Sequence, residues 1–264
     1  MIPNVLTIAG TDPSGGAGIQ ADLKAFSALG AFGTSVVTAL VAQNTQGVVA
    51  VHEVPADFVD QQMDTLFADV RIDAVKIGML GTADLVRCVA AGLRRFAPPY
   101  VVLDPVMVAK SGDRLLAGDA VAALREDLLP QVHLVTPNLP EAADLLEEKE
   151  ADDEDTMYGQ LERLGELCPG VLLKGGHLDG SQSTDLLRVD GGVTALAAPR
   201  VQTTNTHGTG CTLSAAIAAL RPQRPDWTSA VTDAKDYLSR SLQAADRLDV
   251  GQGHGPLHHF HAWW

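Results

Sequence analysis

The sequence predicts an α/β fold: a central, mostly parallel sheet covered by helices on both faces, in a single domain over residues 1–264. Two observations carry this expectation. Short β-branched runs bounded by glycine alternate along the chain with longer segments of helical period, the pattern of strands joined by crossover helices. A chain of 264 residues with 46% hydrophobic and 20% charged residues can fill one large core, and no internal repeat or linker divides it.

The elements follow in order. Val5-Leu6-Thr7-Ile8-Ala9 reads as a first buried strand at 4–9, followed by strands at 34–41, 74–77, 100–103, 133–136 and 170–174. Between them, Ile19, Leu23 and Phe26 recur on one helical face. Val59, Met63, Leu66 and Val70 do the same, as do Leu85, Val89 and Leu93, and these stripes are read as core. Residues 183–189 and 193–198 flank Asp190-Gly191-Gly192 and form a hairpin near the end of the sheet. Two helices close the fold: one starts at the glycine turn 208–210, the other runs from Trp227 to Leu248 behind Pro225. The acidic stretch 147–155 is read as solvated loop, because like charges so dense repel and resist burial.

Composition removes several function classes. A formal net charge of −14 leaves no broad basic surface for nucleic acid or an anionic membrane, so an anionic ligand must be held by a local site. Cys88, Cys168 and Cys211 are too few and too widely spaced for a disulfide framework or a C-x-x-C metal site, and they fit a reducing cytoplasm. Met-Ile-Pro-Asn leads straight into the first strand, which is too short for a signal or membrane segment. Gly16-Ala17-Gly18-Ile19-Gln20-Ala21 matches a dinucleotide fingerprint only formally, since no acidic residue closes the second strand, which ends in Ala42-Gln43-Asn44. No P-loop sequence occurs.

The stronger signal is Thr206-His207-Gly208-Thr209-Gly210-Cys211 just before the apolar helical segment that starts at Thr212. Gly208 and Gly210 let consecutive N–H groups point one way at a helix start, where the first-turn amides lack intrahelical partners and an anion can sit. A transferring phosphoryl group needs such preorganised donors more than it needs covalent chemistry. Glycine serving helix packing alone is the competing reading. Cys211 falls in the first turn, where the macrodipole favours a thiolate able to accept a substrate proton; a small buried hydrophobe is the other reading.

ATP chemistry calls for Mg2+, which takes few carboxylates, several waters and the phosphates themselves. Asp104 directly follows one strand, and Asn138 and Glu141 open a helix at the sheet edge where ligands bind; Asp104 and Glu141 can hold the ion, partly through water, while Asn138 and Glu141 also suit a capping box. Lys174 ends a strand beside Gly175-Gly176 and can reach a phosphate. The tail from Gly253 carries four histidines within eight residues, inviting a metal reading, while Trp263 and Trp264 favour a docked end.

The chain resembles the hydroxymethylpyrimidine/phosphomethylpyrimidine kinases of thiamine biosynthesis, members of the ribokinase-like superfamily, nearly from end to end. The resemblance rests on Ala9-Gly10-Thr11-Asp12 through Gly18 to Asp22-Leu23-Lys24, Ala42-Gln43-Asn44-Thr45, Lys76-Ile77-Gly78-Met79-Leu80, Leu103-Asp104-Pro105-Val106-Met107, Thr136-Pro137-Asn138, Lys174-Gly175-Gly176-His177 and Asn205-Thr206-His207-Gly208-Thr209-Gly210-Cys211-Thr212. It implies a homodimeric cytoplasmic kinase that uses ATP and Mg2+ to phosphorylate an aminopyrimidine alcohol and then the monophosphate. By the same resemblance Gln43 reads the aminopyrimidine, since its amide offers both a donor and an acceptor. Asp22, Met79 and Gly10 line that pocket, Asn138, Lys174, Thr206 and Thr209 meet ATP, and Cys211 takes the place where most of the superfamily has an aspartate base. The loops near 11–18 and 105–116 are lid candidates. A pyridoxine or pyridoxal kinase is the alternative, and a ligand sensor that kept the fold is a third.

Overall fold

The computed structural model describes residues 1–107, 118–178 and 180–264. Among them nine strands form one sheet. In chain order they are β1 (Asn4–Gly10), β2 (Phe32–Asn44), β3 (Gly47–Glu53), β4 (Ala74–Ile77), β5 (Val101–Leu103), β6 (Leu134–Val135), β7 (Val171–Leu173), β8 (Gln182–Val189) and β9 (Gly192–Pro199). Their order across the sheet is β3-β2-β1-β4-β5-β6-β7-β8-β9. The run from β2 to β7 is parallel, and β3, β8 and β9 add antiparallel margins.

β1 and β4 to β7 are buried on both faces, and side-chain alternation divides them between two cores. Leu6, Ile8, Val75, Ile77, Val101, Leu103, Val135, Val171 and Leu173 face the first core, under α2 (Ala56–Phe67), α3 (Ala83–Phe96), α4 (Gly118–Ala123), α5 (Leu139–Leu146) and α6 (Glu154–Leu167). Val5, Ala74, Val102, Leu134 and Leu172 face the second, under α1 (Gly18–Ala28), α7 (Thr209–Leu220) and α8 (Trp227–Gln243). α7 is buried at every position from Thr212 to Leu220, so it is apolar all round and not amphipathic. No helix among the described residues is long and apolar enough to cross a membrane.

Several expectations change in detail. β2 begins and ends beyond 34–41, and β3, a Val-rich run not expected as a strand, is mostly exposed and is held by pairing with β2. Val70 lies past the end of α2, and the last long helix stops at Gln243, followed by one 3-10 turn at Ala245–Arg247. The acidic stretch is loop only as far as Asp153, whose carboxylate caps α6 by accepting the Thr156 N–H. The tail does dock, through Leu257, His258 and His259, whereas Trp263 and Trp264 stay exposed. The candidate lid at 105–116 lies mostly outside the described residues.

Candidate active site

Parallel strands deliver their carboxyl ends to one edge, and here the strand order reverses between β1 and β4, the point at which open α/β sheets bind ligands. Gly10 ends β1, Gly78 and Met79 follow β4, Asp104 follows β5, Asn138 follows β6 and Lys174 follows β7, with Asn138 and Lys174 bridged backbone to backbone. Across this row lies the start of α7. Its N-cap is Gly208, with φ of 79° and no side-chain cap. A Cβ on Gly208 would meet the Gly16 backbone, with the carbonyl carbon at 2.7 Å and the oxygen closer still, so glycine is required both for the left-handed turn and for this approach.

The charged side of the site is built around Lys174. Its ammonium lies 3.3 Å from Asp104 Oδ1 and 3.7 Å from Glu141 Oε2. Burial opposes its charge, but the two carboxylates outweigh burial and hold its pKa above the ordinary range. Glu141 closes a capping box on α5: it accepts the Asn138 N–H at 2.8 Å, while Asn138 Oδ1 accepts the Glu141 N–H at 2.8 Å. Burial pushes the Glu141 carboxyl up to about 7 against the pull of Lys174, with Asp104 adding to the rise. Gly210 faces this cluster, and a Cβ there would stand 3.4 Å from Lys174 Nζ and 3.5 Å from Asp104 Oδ2. The space beside Gly210 is thus bounded by uncapped amides and a cation, the donors an anion needs. Among the described residues no three His, Cys, Asp or Glu side chains gather into a metal cage. Two carboxylates beside an anion site instead suit an ion that keeps waters and phosphates as its other ligands.

On the other side, Asp12 folds the loop before α1 around its carboxylate. Oδ1 accepts from the Ser14 N–H and hydroxyl, and Oδ2 from the Gly16 and Ala17 N–H groups. His207 Nε2 lies 2.7 Å from Asp12 Oδ2 and 3.4 Å from Gln43 Nε2. Burial raises the Asp12 pKa, but the bonds from His207, Ser14 and Ala17 prevail and bring it down to about 2. Gln43 is half-buried at the end of β2. Gly10 lies under Met79, whose Cε would be 2.8 Å from a Cβ at that position, so the thioether packs where a larger residue on β1 could not allow it.

Beneath the site lies a fully buried ion pair, Lys76 Nζ to Asp22 Oδ2 at 3.0 Å, with the Thr7 hydroxyl donating to the same oxygen at 2.6 Å. Asp22 is therefore placed in the floor, with Oδ1 unpartnered among the described residues. Burial opposes the charge on Lys76, but the Asp22 and Asp104 carboxylates keep it protonated. Of the two readings of Cys211, thiolate and buried thiol, the surroundings favour the thiol. Lys76 and the Gly18 N–H pull the thiol down, but burial, with the Asp104 and Asp22 carboxylates, pushes it up to about 11. Thr209 turns its hydroxyl back to the Thr206 carbonyl at 2.7 Å, closing the turn on itself.

The structure thus brings Cys211, Gly208, Gly210, Lys174, Asp104, Glu141, Asn138, Thr206 and Thr209 to one edge, with Gln43, Met79 and Gly10 at its β1–β4 end. Sequence reasoning assigned no role to Asp12, His207 or Lys76. Lys76 carried a signal, a charged residue inside the otherwise apolar strand 74–77. The tail histidines do not form a metal site among the described residues. Burial drives His259 down to about 3, keeping it neutral, and its ring meets the Thr212 hydroxyl at 3.0 Å.

A family model described as phosphomethylpyrimidine kinase matches residues 12–258. The hydroxymethylpyrimidine/phosphomethylpyrimidine kinase of Escherichia coli (strain K12) is 60% identical over 262 residues, covering 99% of this chain and 98% of the relative. Among solved structures, the phosphomethylpyrimidine kinase of Clostridium difficile 630 is 38% identical with a TM-score of 0.81, covering 91% of this chain and 99% of that one. An ADP complex of Bacillus subtilis pyridoxal kinase is 32% identical with a TM-score of 0.90, covering 98% of both chains.

Proposed function

The chain belongs to the phosphomethylpyrimidine kinase family, and from that premise we propose how its site works. The reaction is ATP-dependent phosphorylation of 4-amino-5-hydroxymethyl-2-methylpyrimidine to its monophosphate, and of the monophosphate to the diphosphate, in thiamine diphosphate biosynthesis. One observation carries this reading: the uncapped start of α7, where Gly210 faces Lys174 and Asp104, has the donors and the cation that a transferring phosphoryl group requires.

In this reading Gly208 shapes the turn, Gly210 leaves room for the phosphoryl group, and Lys174 neutralises its charge. Asn138, Thr206 and Thr209 border the ATP phosphates. Asp104 and Glu141 would hold Mg2+, partly through water, and the ion would supply screening of phosphate charge. Gln43 reads the amino group and neighbouring ring nitrogen; Gly10 and Met79 wall the ring, and Asp22 supports that wall from the floor. Cys211 enters as a thiol and holds the hydroxymethyl oxygen in line. A loose transition state asks for little early proton removal, so the amides and cations supply most of the stabilisation.

Residues 1–264 act as one catalytic unit in the cytoplasm, and two such units pair as a homodimer. The exposed apolar residues Leu40, Val49 and Val51 on the β2–β3 ribbon support pairing, which sedimentation velocity tests by mass. For the reaction, 31P NMR of the chain with magnesium-ATP and the aminopyrimidine alcohol is expected to show a phosphomonoester that then converts to a diphosphate. If ATP is hydrolysed and no pyrimidine ester appears, the reading is wrong.

A further inference from the structure

We propose that His207 is a positioning residue for substrate recognition: held by Asp12, its Nε2–H fixes the Gln43 amide with the carbonyl turned inward and the NH2 group facing the pocket. The inference deepens the proposed function and rests on the role of Gln43 in it.

The argument starts from Asp12. Its carboxylate already accepts N–H or O–H bonds from Ser14, Gly16 and Ala17, so it is ionised and can only accept. The 2.7 Å contact with His207 Nε2 therefore requires that nitrogen to carry a hydrogen and to donate. Ring and backbone are both fixed. A Cβ on Gly16 would run into the imidazole Cδ2, which leaves the ring no room to swing toward the loop, and the His207 N–H donates to the Gly255 carbonyl at 3.1 Å. The same Nε2 lies 3.4 Å from the Gln43 amide nitrogen, so two donors face each other. Side-chain amide oxygen and nitrogen are set by their hydrogen-bond partners, and a donor opposite selects oxygen. Turned that way, the Gln43 carbonyl shares the His207 hydrogen with Asp12. Its NH2 is left to meet a ring nitrogen, and its second lone pair to accept from an exocyclic amine.

An imidazole thus decides which edge of a heterocycle Gln43 reads. Without it the amide can turn over, which presents its groups in the order suited to an oxo-substituted ring.

The test is calorimetric titration of 4-amino-5-hydroxymethyl-2-methylpyrimidine and its 4-oxo analogue into the wild-type chain, His207→Leu, His207→Gln, Gln43→Ala and the Gln43→Ala/His207→Leu double variant, with melting curves for each. His207→Leu is expected to weaken aminopyrimidine binding about tenfold and to narrow the preference over the oxo analogue. His207→Gln, which keeps an N–H at the same reach, is expected to recover most of the loss. In the Gln43→Ala background the His207 effect should fall below about twofold, since coupled residues are non-additive. An equal loss from His207→Leu with and without Gln43 would overturn the inference, as would an unchanged preference between the two rings. A wild-type chain that binds ATP but not the aminopyrimidine would instead overturn the functional reading beneath it.

Discussion

Two glycines of one turn, two residues apart, are expected to fail in opposite ways when each becomes alanine. Gly208 sits at φ 79°, where an L side chain costs about 1–2 kcal/mol. Its Cβ would also stand 2.7 Å from the Gly16 carbonyl carbon and 3.1 Å from the Ala17 Cα, with the Gly16 oxygen nearer than either. Those atoms are backbone, and the Gly16 and Ala17 amides are tied to Asp12, so the crowding cannot be relieved by a rotamer change and adds about 1–3 kcal/mol. Gly208→Ala should therefore cost about 3 kcal/mol, which lowers Tm by about 6–12 °C in a chain of this size. Gly210 is in the helix, and its Cβ would make contacts of 3.4 Å to Lys174 Nζ and 3.5 Å to Asp104 Oδ2, which the fold tolerates. Gly210→Ala should melt within about 2 °C of the wild type. Its methyl group would stand in the space the proposed function gives to the phosphoryl group, so kcat is expected to fall by about 100-fold or more. Melting by circular dichroism and ADP release with the aminopyrimidine measure the two effects. Full turnover in Gly210→Ala would place phosphoryl transfer elsewhere, and an unchanged Tm in Gly208→Ala would refute the packing argument.

Other consequences follow from the buried charges. Lys76→Met strands Asp22 without its cation and should lower stability to urea by about 3–5 kcal/mol, whereas Lys76→Met combined with Asp22→Leu should recover much of it; equal losses in both would deny the pair its role. Asp12 has its folded pKa depressed to about 2 from 3.8, so its contribution is present above the unfolded value and lost as pH falls toward 2. The stability gap between wild type and Asp12→Asn, about 2 kcal/mol at pH 5, should shrink to about a third of that in urea titrations at pH 2.5, and a constant gap would contradict the assignment. Alkylation of Cys211 by iodoacetamide, followed by site-resolved mass spectrometry, should still be accelerating at pH 9, because the thiol is held up to about 11. A plateau below pH 8 would restore the thiolate that the helix start alone suggests.

Local pattern made the parallel strands legible. β1, β4 and β5 are apolar, mostly β-branched or aliphatic runs because both faces are covered, and that requirement is written into consecutive residues. β3 was missed although Val48, Val49 and Val51 make it a β-branched run, since both its faces lie largely exposed and only its pairing with β2 marks it as part of the sheet. α6 was hidden by the acidic run whose last members cap and open it. At the site, the glycine turn announced an anion-binding helix start because the geometry it needs is local. Position alone left Cys211 open between thiolate and thiol for the opposite reason: burial, with Asp104 and Asp22 from separate elements, raises its pKa, and none of these is local. The Asp12–His207 contact joins positions 195 residues apart, and only the fold brings them together.

The most direct measurement is coupled ADP release by the purified chain with magnesium-ATP, comparing 4-amino-5-hydroxymethyl-2-methylpyrimidine, its monophosphate and pyridoxal as acceptors. Turnover on the first two, with little on pyridoxal, is the predicted result. A strong preference for pyridoxal, or no turnover with any of the three, would contradict it.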